Sequence, residues 1–129
     1  MRSGSHTARV VFPADYTNNE GRLVTKTGAA EATLSALATD VPWGVIESVD
    51  GDGLGGEIVL PGGITRVRVG VAGVAPGADD LLQVDAASGV VAFAGGPASY
   101  VVGRLMPSEA AALAADSMPE ILVMADFRA

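Results

Sequence analysis

Thr65-Arg66-Val67-Arg68-Val69-Gly70-Val71 decides how this chain reads, because Val67, Val69 and Val71 fall on one side of an extended strand and both arginines on the other. Outward from it the same period-two pattern recurs in short pieces. Arg22 to Lys26 alternates, Trp43 to Val49 follows Pro42, and Glu57 to Leu60 runs into the turn Pro61-Gly62-Gly63. Leu81 to Asp85, Val90 to Ala94, Tyr100 to Met106 and Ile121 to Phe127 complete the set. Short strands separated by Gly, Pro and Asp turns predict a mainly β chain, a small antiparallel barrel or sandwich.

Three segments depart from the pattern. Ser108 to Ala115 is Ala-rich, follows Pro107, carries Glu109 near its start and stops before Pro119, which predicts one short helix near 108–115. Ala29 to Ala38 admits a helix by propensity or a strand through Thr33 and Leu34. Residues 1–20 hold a polar stretch, an apolar run too short for a core of its own, Pro13 and the turn-prone Thr17-Asn18-Asn19. Arg2 to His6 looks like vector sequence, which supports a disordered terminus. The competing reading is an extended arm over residues 1–20, with Arg9, Val10, Val11, Phe12 and Tyr16 laid along a partner's sheet edge. The β-rich body then spans 21–129.

The chain has 129 residues, enough for one domain with a real core, and 49% of them are hydrophobic but only six are aromatic. A thin core of small side chains is expected. With no cysteine, disulfides, zinc–thiolate sites and cysteine nucleophiles are excluded. The longest uncharged run, Ala86 to Gly103, contains Gly89, Gly95, Gly96 and Pro97 and reads as two strands and turns, not as a membrane helix. The amino terminus lacks the apolar stretch of a signal peptide, so no export by that route is expected. Residues 1–28 set Arg2, Arg9, Arg22 and Lys26 against Asp15 and Glu20. The remainder sets four arginines against thirteen acids, and the total is −7. A body of that sign repels phosphate backbones, so no nucleic-acid partner is expected.

Catalytic patterns are thin. Gly51-Asp52-Gly53-Leu54-Gly55-Gly56 satisfies the dinucleotide-loop spacing, but Glu57-Ile58-Val59-Leu60-Pro61 follows it as a strand, where phosphate binding needs a helix amino terminus. A hairpin loop is expected there. As a calcium loop it fails at Leu54, where an oxygen ligand is required. The only histidine, His6, lies in the arm, and no Gly-x-Ser-x-Gly elbow occurs. No catalytic, cofactor or metal residues are therefore named, and a binding module is expected, not an enzyme. Trp43 reads as a core anchor. Arg66 and Arg68 read either as partners for strand acids such as Glu57 or Glu47, or as contacts to an adjacent subunit or a capsid surface.

The order of segments adds a family. Gly21-Arg22-Leu23-Val24, Ala32-Thr33-Leu34-Ser35 and Trp43-Gly44-Val45-Ile46 are followed by Val67-Arg68-Val69-Gly70 and Ala75-Pro76-Gly77-Ala78-Asp79 before Leu81-Leu82. Then come Gly89-Val90-Val91-Ala92, Tyr100-Val101-Val102-Gly103-Arg104 and Ile121-Leu122-Val123-Met124. Over residues 20 to 127 this order resembles the small phage capsid decoration, or cement, proteins. Pro107 to Pro119 is longer and more helical than the turn expected there. The resemblance implies a β-barrel or β-tulip that binds the outside of an assembled icosahedral shell, often as a homotrimer, and clamps neighbouring major capsid protein subunits. It implies a virion location, no cofactor and no membrane.

Overall fold

Short strands separated by turns account for most of the regular structure. The computed structural model describes residues 6–70, 81–85, 88–94, 99–107, 114 and 117–128. Among these lie β1 (Thr7–Val11), β2 (Leu23–Lys26), β3 (Ala32–Leu34), β4 (Gly44–Val49) and β5 (Gly55–Val59). They are followed by β6 (Ile64–Arg66), β7 (Leu81–Val84), β8 (Val90–Ala92), β9 (Ser99–Leu105) and β10 (Glu120–Arg128). The first five make one sheet, ordered β1-β5-β4-β2-β3, and the others a second, ordered β6-β10-β9-β7-β8. Every paired ladder is antiparallel.

The expected mainly β class holds, but the barrel does not. Among the described residues the edges of the first sheet meet only at the isolated bridge Val11–Glu31, and those of the second only at Val69–Val90, so neither sheet closes into a barrel there. Edge strands of three residues, β3, β6 and β8, are too short to complete a ring. The open segment Ala29 to Ala38 resolves as the strand Ala32–Leu34 with turns on either side. The helix expected at 108–115 lies outside the described residues, apart from Ala114.

The amino-terminal segment does not stand free as an arm. β1 lies antiparallel on β5 from Thr7↔Val59 to Val11↔Gly55. Its short apolar run needs no core of its own, because Val10 and Phe12 join a cluster with Tyr16, Val24, Ala32, Ile46 and Ile58. The partner edge for this segment is the chain's own.

Thr65 to Val69 keeps the expected burial alternation, yet the strand ends at Arg66. Val67 N–H donates to the Pro119 carbonyl (3.0 Å) and Val69 N–H to that of Ser117 (2.9 Å), continuing the register that sets Arg66 opposite Glu120. Proline has no N–H to return the bond, so the ladder runs one way there.

Two apolar clusters lie on opposite faces of the first sheet. Leu23, Val45 and Val59 join the second sheet's Val67, Val69, Leu82, Val84, Val90, Val102, Leu105, Ile121 and Val123, while Ile46 and Ile58 face the other way. The valine-rich content matches a thin core. Main-chain bonds also cross between the sheets' elements: Leu23 N–H donates to Ser88 O (2.8 Å) and Arg68 N–H to Gly21 O (2.7 Å).

Close strand approach depends on glycine at particular points. A Cβ at Gly56 would collide with the Ser48 carbonyl and press on the Phe12 ring, whereas one at Gly51 would meet nothing within 4 Å. Gly56→Ala should therefore destabilise by about 1–3 kcal/mol, the usual cost of overpacking, while Gly51→Ala leaves stability nearly unchanged. Urea denaturation midpoints of the two variants provide the comparison.

Candidate interaction surface

β1 splits the residues expected to contact a partner into two sets. Val10, Phe12 and Tyr16 are buried, and the Phe12 and Tyr16 rings pack at 4.8 Å between centroids. The Tyr16 hydroxyl accepts the Leu34 N–H at 3.2 Å, tying this turn to β3. These three side chains hold the fold and are not offered to a partner. Arg9 and Val11, two apart and on the same side of the strand, are exposed, Val11 by 51%.

The hairpin between β4 and β5 brings more surface to the same place. Its Gly-rich loop is tight: Gly53, at φ +76°, donates its N–H to Asp50 O, and Leu54 N–H donates to Asp52 Oδ1 at 3.0 Å. The loop is pinned by Phe12 N–H to Leu54 O and Tyr16 N–H to Gly53 O, both 2.9 Å. Leu54 is thereby held 51% exposed. Arg9 pairs with Asp50. The resulting groove, about 260 Å³, is lined by Arg9, Val11, Ala30, Asp50 and Leu54 among others. Chemically it offers two exposed aliphatic side chains beside an ion pair. Nothing in the alternation of residues 50–56 marks Leu54 as a neighbour of Val11; that proximity follows from the β1–β5 register.

Arg66 and Arg68 do not act as a pair. Arg66 is exposed, lies across from Glu120, and donates from Nη1 to the Met118 carbonyl at 2.8 Å. Arg68 is half-buried and its Nη2 donates to the carbonyls of Glu20 (3.2 Å) and Asn18 (3.4 Å), where Asn18 sits at φ +66°. Arg68 therefore fastens the turn before β2 to the second sheet, while Arg66 remains on the surface. Trp43 is half-buried against the Phe12 cluster, with Lys26 Nζ 5.3 Å from its ring centroid, a cation–π contact.

A second cleft, about 360 Å³, opens where the two sheets meet, lined by Glu20, Glu47, Thr65, Arg66, Met118 and Glu120 among others. Its three carboxylates, Glu20, Glu47 and Glu120, are half-buried. Among the described residues no group of three metal-binding side chains gathers. No family model matches this chain, and no curated protein matches it.

Asp15 shapes the turn that carries Tyr16. Its carboxylate accepts the Thr17 hydroxyl and then the Thr17 N–H (2.9 Å), and these bonds hold it below the ordinary carboxylate range. A lowered folded value means the bonds stabilise the turn at higher pH and are lost as pH falls through that value. Thr17→Val should move Asp15 back up, measured by carboxyl-carbon NMR titration. Phe12→Ala should cost about 3–5 kcal/mol, as for buried aromatics, while Val11→Ala stays near zero in the same denaturation assay.

Proposed function

We propose that the protein is a phage capsid decoration protein, a non-catalytic module that binds the outer surface of an assembled shell and clamps neighbouring major capsid protein subunits. The observation that carries this reading is the order of strand and turn segments over residues 20 to 127, from Gly21-Arg22-Leu23-Val24 to Ile121-Leu122-Val123-Met124. A sandwich-like body of two open antiparallel sheets is compatible with it. The proposed capsid-facing surface is the Val11–Leu54 groove with Arg9, and Arg66 is a second candidate contact.

A groove of this size supplies a weak contact by itself. Association as a homotrimer at threefold positions of the shell would set three such contacts at high effective concentration, so that shallow surfaces hold firmly. The acidic charge of the body, −7 for the chain, keeps the unassembled protein soluble in the host cytoplasm before it joins the virion. A tail, fibre or accessory β module is the alternative, and the partner discriminates between the two.

The test mixes the purified chain with undecorated capsids of a candidate virus and measures co-sedimentation. The wild type should pellet with the shells, and Val11→Asp and Leu54→Asp, both at exposed positions, should stay largely in the supernatant while keeping the wild-type circular dichroism spectrum. Wild-type protein that ignores shells competent for decoration would overturn the capsid reading. Full binding by both variants would overturn the face. Deletion of residues 1–20 is not a clean test, because it removes Val10, Phe12 and Tyr16 from the core and should lower the melting temperature sharply.

A further inference from the structure

β10 outlasts its neighbour. β6 pairs only with Glu120 to Leu122, and Val123 is bonded by Gly62 and Gly63 (2.9 and 2.8 Å). From Ala125 to Arg128 every residue is exposed, Phe127 by 52%, and among the described residues no strand pairs with that side. On the other side Phe127 lies opposite Tyr100 of β9. The Tyr100 N–H donates to the Ala38 carbonyl at 3.0 Å, away from β10. Tyr100 and Phe127 are thus a non-hydrogen-bonded pair, in which the main-chain groups of both residues point outward. The Phe127 N–H and carbonyl consequently face the open edge.

Side chains near that edge are apolar or complementary in charge. Phe127 meets the Tyr100 ring edge-on, 5.1 Å between centroids at 61°. The loop that accepts the Tyr100 bond also carries Leu37 and Val41, exposed by 61% and 57%. On the opposite face of β10, Arg128 Nη2 and Asp126 Oδ2 pair at 2.9 Å.

We propose that two copies of this chain join through these edges, antiparallel, about a two-fold axis at Phe127. The chemistry selects that register. With the axis at Phe127, each Phe127 exchanges two main-chain hydrogen bonds with its mate, and Asp126 lies opposite Arg128 of the second copy, and the reverse. The Tyr100–Phe127 contact extends across the axis on one face, and two ion pairs merge into a network on the other. An axis at Asp126 would set carboxylate against carboxylate, and one at Arg128 guanidinium against guanidinium, both unfavourable across a strand pair. The contact is isologous and small, so association is weak and depends on concentration. It is independent of the capsid reading: it concerns the free chain and needs no shell, and if that chain is already trimeric the same contact joins trimers to one another and the mass rises above that of one trimer.

Sedimentation equilibrium over a concentration series tests this. The wild type should at least double in mass as concentration rises. Asp126→Arg, which sets arginines opposite one another twice, should raise the dissociation constant by about tenfold or more. Phe127→Ser should also weaken doubling, and Asp126→Arg combined with Arg128→Asp should restore it, because the swapped pair is again self-complementary. A wild-type mass that never doubles, a single variant that doubles as readily as wild type, or a charge swap that fails to restore doubling would each overturn the proposal. None of these results bears on co-sedimentation with capsids, so the two readings fail separately.

Discussion

The antiparallel pairing of β4 with β5 is the constraint on which the rest of the structure rests. Val45 lies opposite Val59, and Ile46 opposite Ile58, so consecutive residues of both strands turn to opposite faces. The valines enter the cluster shared with the second sheet, and the isoleucines the cluster closed by Phe12 and Tyr16. Side chains alternate with a period of two, so a slip of one residue would exchange the contents of both clusters at once. Gly44 and Gly56 let this happen at close range: a Cβ on either would strike a carbonyl of the neighbouring strand, that of Val59 or of Ser48. A sheet buried on both faces then needs cover at its free edge, and β1 supplies it.

Strand existence was readable because it depends on local alternation and turn residues: β2, β4, β5 and β7 to β10 recurred with ends displaced by a residue or two, whereas β6 stops at Arg66, well short of the expected Val71. Pairing was not readable to the same degree. The run Arg9 to Phe12 is apolar enough to require burial but too short to show where, and its partner β5 lies nearly fifty positions onward, Arg9 opposite Glu57. An unattached sticky strand seen in one dimension looks like an arm. Ala29 to Ala38 was ambiguous for a related reason: only the pairing of Ala32 to Leu34 with β2 decides it.

The surface followed the same division. Arg9, Val10, Val11, Phe12 and Tyr16 read alike in the sequence as contact candidates, and only the pairing of β1 with β5 separates the exposed Arg9 and Val11 from the buried Val10, Phe12 and Tyr16. The companions of Arg9 and Val11, Ala30 and Leu54, come from loops whose proximity is a property of the fold. Arg66 and Arg68 look equivalent in the heptapeptide that decided the fold class, and they sit on the same side of it. What separates them is the turn at Asn18 to Gly21, whose carbonyls take the Arg68 guanidinium and main-chain N–H. Carbonyl acceptors leave no trace in a sequence, because every residue has one.

The crossing main-chain bonds, Leu23 to Ser88 and Arg68 to Gly21, have a consequence for how the molecule comes apart. Opening either sheet alone would strand donors and acceptors of the other without partners, and would bare the valine cluster that both sheets share. The two sheets are therefore bound to melt in one cooperative step, with amide hydrogens at Leu23 and Arg68 exchanging only when the whole structure opens. Because so many of the pairings join distant parts of the chain, that structure also assembles slowly for its size.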